Sequence, residues 1–452
     1  MDKATEFKKV SLKIFFIMKI LIKANYILTM NEKDEVIEDG AVIVENGKIS
    51  KISKISDIEN ENVDYIIDDR PNILLPGFIN THTHIAMVGF RGFADDKDLM
   101  DWLNNYIWPA ENRAVDREFI RIASLLAICE MIRTGTTTYN DMYFFEEITA
   151  EVSREIGIRA FLGEGLIDFP TPSFKNPEEG LKIVKSFIEN YLNDEYIHPT
   201  LCLHAPYSCS KDLILRGYEI AKKYNIPIHM HVAETKSEIE IIKNKYGLTP
   251  VRYLNSIGVL NHKFISAHSV YLDDEEIEIY KNHNVSVAHN PQSNMKLSSG
   301  IAPIVKMLRK NINVGLATDG TASNNNLDMI DEMRSCSLIH KVHLFDPKVV
   351  SAKEVLKMAT IYGAKVLGID NLVGSIEINK KADLITISLN SFHLMPIYDP
   401  YSAIVYSANG LDVSSVLING KILMEKKELK FIDFEEVKYN AQKLKEKVIG
   451  SL

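Results

Sequence analysis

Eight short apolar runs, rich in β-branched residues, recur between residues 74 and 318 of this chain, and each leads to a polar side chain suited to catalysis. They fall at 74–80, 136–140, 160–164, 200–204, 227–231, 264–268, 285–289 and 314–318. Amphipathic helical stretches lie between them, such as 119–134, 212–224 and 302–311. Strand and helix signals alternating at this spacing are what βα units produce. Eight such units close on themselves, so the predicted fold class is α/β, a (β/α)8 TIM-type barrel. Chemistry in such a barrel sits at the C-terminal ends of its strands. The first run continues into His82-Thr83-His84. Later runs end at His204, His231, His268 and His289, and Asp319 directly follows the last.

The two ends of the chain read differently. "GAVIVENGKISKI" is a hairpin, with Asn46-Gly47 supplying the positive φ angles of a tight turn. Near the C-terminus "KKADLITISL" and "SSVLINGKILM" have the same character, with Asn419-Gly420 at the second turn. Residues 18–73 and 371–452 are therefore expected to pair as a small composite β-sandwich domain around a metal-dependent barrel catalytic domain of residues 74–370. Lys13 and Lys19 interrupt the apolar run in residues 8–23, leaving it too short to span a bilayer. No small-residue cleavage site follows it. Residues 1–17 are read as an N-terminal extension, and no membrane partner is expected. The stretch 92–115, with Phe93, Trp102, Tyr106 and Trp108, reads as a long loop lying over the barrel mouth as a lid. Residues 434–448 read as an amphipathic surface helix.

A net charge of -9 argues against a nucleic-acid partner, because phosphate binding needs a basic surface. The four cysteines (Cys129, Cys202, Cys209, Cys336) show no CxxC pairing and read as reduced thiols of a cytoplasmic protein. A metal site would then have to use histidine and carboxylate. His82 and His84 alternate in an extended segment, so both side chains share one face about 7 Å apart along the strand, within reach of one ion. In "PIHMHVAET", His231 ends its run and is the expected ligand; His229 lies one layer deeper, as a core histidine. Glu234 follows on the loop, where a carboxylate reaches both a metal-bound water and a substrate. Asp319 can contact the metal and accept a proton from its water. His268 can hold or polarise that water, and His204 suits a substrate contact. His289 is either a substrate contact or a packed, hydrogen-bonded residue. Glu111, in the lid, can bind a pair of ribose hydroxyls.

"PGFINTHTH", "HVAET", "SAHSVYL", "HNPQSNMKLSSGIAPI" and "GLATDGTASNNNLDM" together resemble the amidohydrolase superfamily. They are most similar to its deaminases of adenosine-type nucleosides, which act on 5′-methylthioadenosine, S-adenosylhomocysteine or 5′-deoxyadenosine. The likeness runs from about residue 19 to the C-terminus. It implies zinc-dependent hydrolytic deamination of by-products of S-adenosylmethionine to the inosine analogue and ammonia, as a salvage step. It implies one Zn2+ per subunit (or another divalent ion such as Fe2+) on His82, His84, His231 and Asp319. Glu234, His268 and Asp319 would be catalytic, and Glu111, His204, Glu234 and Asp319 would bind the nucleoside. His204 stands where the bridged two-metal members carry a lysine, which supports a single metal. Glu164, in "FLGEGLID", stands near an arginine of the methylthioadenosine-type members, which leans the preference toward 5′-deoxyadenosine. A homo-oligomer, dimer or tetramer, is expected by the default of closed symmetry. The rival readings are a guanine or cytosine deaminase, a triazine hydrolase of the same superfamily, or a metal-free interaction protein.

Overall fold

A computed structural model describes residues 19–58 and 61–450; the extension expected over 1–17 lies outside the described residues. Five strands come from the N-terminal part: β1 (Ile20–Leu28), β2 (Val36–Glu45), β3 (Lys48–Lys54), β4 (Tyr65–Ile67) and β5 (Asn72–Pro76). The middle supplies β6 (Phe78–Thr83), β7 (Thr136–Tyr143), β8 (Arg159–Glu164), β9 (Ile197–Pro199), β10 (Leu201–Leu203), β11 (Ile228–Val232), β12 (Phe264–His268), β13 (Ser286–His289) and β14 (Val314–Leu316). The C-terminal part adds β15 (Leu384–Ser388), β16 (Val413–Ile418), β17 (Lys421–Glu425) and β18 (Glu428–Leu429).

Both chain ends build one nine-stranded sheet in the order β18-β17-β16-β15-β5-β1-β2-β3, with β4 beside β1. β5 joins the halves, pairing parallel with β1 and antiparallel with β15. The two ends pair as one continuous ladder, because β5 and β15 bond edge to edge. That sheet curls around a core that includes Ile22, Ile27, Val42, Leu74, Leu384 and Leu417. Its curl brings the two Asn-Gly turns together. Asn46 and Gly47 have φ of 53° and 75°, and Asn419 and Gly420 have φ of 50° and 74°. A Cβ on Gly420 would lie 2.6 Å from Gly47 Cα, so only glycine allows this approach.

The middle strands form two parallel sheets, β6-β7-β8-β9 and β10-β11-β12-β13-β14, where a single closed ladder was expected. One break falls at Pro199, which has no N–H to donate; beyond it Leu166 bridges Leu203 in parallel fashion. At the other seam β6 faces β14 mainly through side chains. Thr81 Oγ1 donates to Leu316 O at 2.9 Å, Asn80 Nδ2 to Thr318 Oγ1 at 2.7 Å and Thr83 Oγ1 to Asp319 O at 2.9 Å. One backbone bond, Asp319 N to His82 O at 3.1 Å, crosses there.

The run over 74–80 is split at Gly77, so its first part serves the end sheet and its second part starts the parallel layer. Arg159 on β8 locks the two layers. It is almost fully buried and donates from Nε and Nη2 to Asp383 at 3.1–3.4 Å. The stretch 92–115 is helical rather than a loop, over Leu99–Trp102, Leu103–Ile107 and Trp108–Ala114. Leu99, Leu103, Ile107 and Glu111 recur at helical spacing, which places one face toward the strand ends. The last helix, Phe434–Gly450, buries Val437, Leu444 and Val448. No helix among the described residues is long and apolar enough to cross a membrane.

Candidate active site

β6, β11, β12 and β14 bring residues at or just beyond their C-terminal ends to one point. His82 Nε2 and His84 Nε2 lie 3.4 and 3.3 Å from Asp319 Oδ1. His84 Nε2 lies 3.2 Å from His231 Nε2. The donor atoms of His82, His84 and His231, and those of His82, His268 and Asp319, each fall within 4.8 Å of one another. Two of these strand ends turn sharply: His268 and Asp319 have φ of 69° and 64°. Such left-handed backbone costs of order 1–3 kcal/mol at a non-glycine residue, and packing around the site holds it.

The histidine tautomers follow from what holds each ring. His84 Nδ1 faces Met142 O at 2.5 Å and His231 Nδ1 faces His204 O at 2.7 Å. A carbonyl only accepts, so both Nδ1 atoms carry the hydrogen. Both Nε2 lone pairs are then turned on each other at 3.2 Å. Two lone pairs at that distance repel unless a cation lies between them. His82 Nδ1 contacts His229 Nε2 at 2.8 Å, and His82 Nε2 has no hydrogen-bond partner among the described residues. The deeper position expected for His229 thus makes it the support of His82. Three imidazoles and a carboxylate, with no thiolate, form a donor set that fits a zinc-type divalent ion.

Residues that the sequence reading passed over fix the carboxylate and the fourth imidazole. Ser293 Oγ and Ser323 Oγ donate to Asp319 Oδ2 at 2.6 and 3.0 Å. His268 Nδ1 donates to Asn294 Oδ1 at 2.9 Å, with Asn290 Nδ2 at 3.1 Å. Ser299 Oγ donates to Glu234 Oε1 at 3.3 Å. Asn290, Ser293, Asn294 and Ser299 all sit in "HNPQSNMKLSSG", whose polar residues recur at helical spacing. That spacing was the available signal.

Charge follows burial. Desolvation lowers the His82 pKa to about 4 and that of His204 to about 3, so both stay neutral at pH 7. Burial alone would raise the Asp319 pKa, but the imidazole of His82, with Nε2 3.4 Å from Oδ1, together with His268 and His84 holds it well below the usual carboxylate range. Burial raises Glu234. Burial would lower His268, yet Glu234 and Asp319 outweigh it and raise its pKa. His268 Nε2 lies 3.8 Å from Glu234 Oε2 and 4.0 Å from Asp319 Oδ2.

Above these groups opens a cleft of about 920 Å³, counting the space at its mouth. His84, His204, His231, Glu234, His268 and Asp319 line its floor, and the lid supplies Leu99, Trp102, Leu103, Ile107, Trp108 and Glu111. Glu111 accepts from Tyr143 OH at 2.6 Å, and burial pushes its pKa up to about 7. No lysine or arginine lines the cleft among the described residues. Glu164 is absent from the lining too. It accepts from the backbone N–H groups of Phe145 and Glu146, at 3.4 and 3.3 Å, and from Ser173. His289 is also outside the cleft, packed against His340 with an Nε2–Nε2 distance of 3.2 Å.

Residues 73–423 match the model of the amidohydrolase family. The chain is 46% identical to a 5-methylthioadenosine/S-adenosylhomocysteine deaminase of Thermodesulfovibrio yellowstonii, over 92% of this chain and 96% of that relative. It is 45% identical to a 5′-deoxyadenosine deaminase of Methanobrevibacter smithii, over 94% of this chain and 97% of the relative. A zinc-bound crystal structure of an adenosine deaminase from Xanthomonas campestris superposes with a TM-score of 0.94 at 34% identity, covering 95% and 98% of the two chains. The fold is therefore α/β of TIM-barrel type.

Proposed function

The chain belongs to the amidohydrolase family, and on that premise we propose that its cleft binds an adenosine-type nucleoside and deaminates it by hydrolysis. The two parallel sheets are then the staves of one (β/α)8 barrel that begins at β6 instead of at residue 74, and β1–β5 with residues 371–452 form the composite β unit. The observation that carries the reading is the pair of carbonyl-held imidazoles, His84 and His231, whose lone pairs converge at 3.2 Å beside His82 and Asp319. These four residues hold one divalent ion, taken as Zn2+ from the donor set. When bound, it supplies hydroxide at neutral pH by lowering the pKa of water towards ~7.

The chain's own residues do the rest. Asp319, kept ionised by the surrounding histidines, accepts a proton from the attacking water. His268, held through Nδ1 by Asn294, aims that water at C6 of the adenine ring. Glu234 keeps its proton more readily than an exposed carboxyl because it is buried, and it gives that proton to a ring nitrogen. The ring thereby loses the aromatic resistance to addition. Asp319 then passes its proton to the exocyclic amine, the C6–N bond breaks and ammonia leaves, while the hydroxyl on C6 becomes the carbonyl and returns its proton to Glu234. One water is consumed, and the inosine analogue remains.

Glu111 faces the same cleft from the lid and suits a ribose diol, which separates this reading from the free-base deaminases and triazine hydrolases. Replacing Glu111 with glutamine is expected to raise KM by roughly 10–100-fold, the cost of about 1.5–3 kcal/mol for a hydrogen bond to a charged group. In the parent enzyme 1/KM should rise with pH through about 7, as the raised Glu111 carboxyl ionises, and the variant should lose that rise. An unchanged KM would remove Glu111 from substrate binding.

The apolar wall of the cleft includes Trp102, Leu103, Trp108 and Phe169, and the lining offers no cation for the amino-acid carboxylate of a bulky 5′ group. An ammonia-release screen should therefore rank 5′-deoxyadenosine and 5′-methylthioadenosine above S-adenosylhomocysteine by kcat/KM. Guanine and cytosine should be inert. A clear win for S-adenosylhomocysteine would overturn this reading of the lid. The lean toward a small 5′ group rests on this lining and not on Glu164, which lies outside it.

A further inference from the structure

A second set of metal-type donors lies outside the cleft. His289 ends β13, and Cys336 and His340 stand one turn apart on the helix Met329–Leu344 that packs behind it. All three are buried, and their donor atoms lie within 4.8 Å of one another. His289 Nε2 and His340 Nε2 are 3.2 Å apart, the same separation as His84 Nε2 and His231 Nε2 in the candidate active site. A tetrahedral zinc ion bound at ~2.0–2.1 Å to two imidazoles spaces their nitrogens by about 3.3 Å. A plain N–H···N bond between the imidazoles would give the Cys336 sulfur, which lies within 4.8 Å of a donor nitrogen of both, no part.

We propose that His289, Cys336 and His340 form a second, structural site for Zn2+ or another thiolate-binding divalent ion, separate from the metal of the active site. Two neutral imidazoles and a thiolate are the borderline-soft donors such an ion takes. Binding forms one metal–sulfur and two metal–nitrogen bonds. It breaks the Cys336 S–H bond, whose proton passes to solvent, and nothing is oxidised or reduced. The ion would clamp the Met329–Leu344 helix to the end of β13. Asn290, which contacts His268, is the next residue along the chain. The site would therefore steady the strand end that carries part of the active site without touching substrate.

Cobalt separates the two centres, because the active-site set contains no cysteine. Protein produced in cobalt-supplemented medium is expected to show a thiolate-to-cobalt charge-transfer band in the near ultraviolet and about two metal ions per chain. Cys336→Ala and Cys336→Ser should abolish the band, lower the content to about one ion and lower the melting temperature while turnover persists. The wild-type protein decides the matter even if the variants fold poorly. Absence of the band, or a content near one ion per chain, overturns the second site and leaves an ordinary buried imidazole pair.

Discussion

Glu234→Gln is expected to lower kcat by roughly two to four orders of magnitude, the usual contribution of a positioned general acid or base, with the metal content unchanged. Glutamine keeps the size of the side chain and can still accept from Ser299 Oγ, which lies 3.3 Å from Glu234 Oε1 in the parent. What it loses is a transferable proton. Burial favours the protonated carboxyl, so the wild-type residue brings its proton to a ring nitrogen at low cost. KM should move little, since the change acts on the chemical step. Elemental analysis beside steady-state kinetics distinguishes the outcomes. Near-normal turnover with metal retained would mean that the proton comes from another group. Loss of metal would mean that Glu234 belongs to the ion's ligands.

The second large effect concerns stability. Arg159→Met should destabilise the protein by about 3–5 kcal/mol, the usual result of stripping a buried carboxylate of its ion-pair partner. Arg159 and Asp383 have side chains only 2% exposed, and the pair spans from β8 to the residue preceding β15. Asp383 also accepts the N–H of Asn419 at 2.6 Å, so it organises the turn that meets Gly47. Met fills the space of the arginine stem but leaves that carboxylate buried with one donor. The double replacement Arg159→Met/Asp383→Leu removes both charges and should recover much of the loss. Chemical denaturation of the three proteins tests this. If the single variant unfolds with the wild type, the pair is not what joins the layers.

Much of this arrangement was legible in the chain. Apolar, β-branched runs, six of which lead to histidine or aspartate, mark parallel strands whose tips share one mouth. Asn46-Gly47 and Asn419-Gly420 mark turns whose φ signs the structure reproduces. What escaped depended on partners distant in sequence. Gly77 looks like part of one run, and only Thr137, which a Cβ there would meet at 2.2 Å, shows why the backbone must pass so close. The side-chain bonds replacing a ladder between β6 and β14 join residues 235 and more positions apart. The lid's helices were hidden by reading Trp102 and Trp108 as loop aromatics, when the spacing of Leu99, Leu103, Ile107 and Glu111 already had a helical period. The supports of Asp319 and His268 could be suspected from the polar spacing of 290–299, but their targets could not.

The central place of β5 in the end sheet has a bearing on how the chain is made. β5 is wholly buried in the finished molecule, yet one of its edges waits for β15, whose first residue comes about 300 positions later. At ~5–20 residues per second a ribosome takes roughly 15–60 s to supply that partner. Until then an apolar strand edge stays open, the kind of edge that recruits other chains. The barrel strands emerge in the interval. The nascent protein must therefore carry a nearly complete reaction centre beside an unfinished seam, and fragments that stop before residue 384 should aggregate even when their barrel residues are intact.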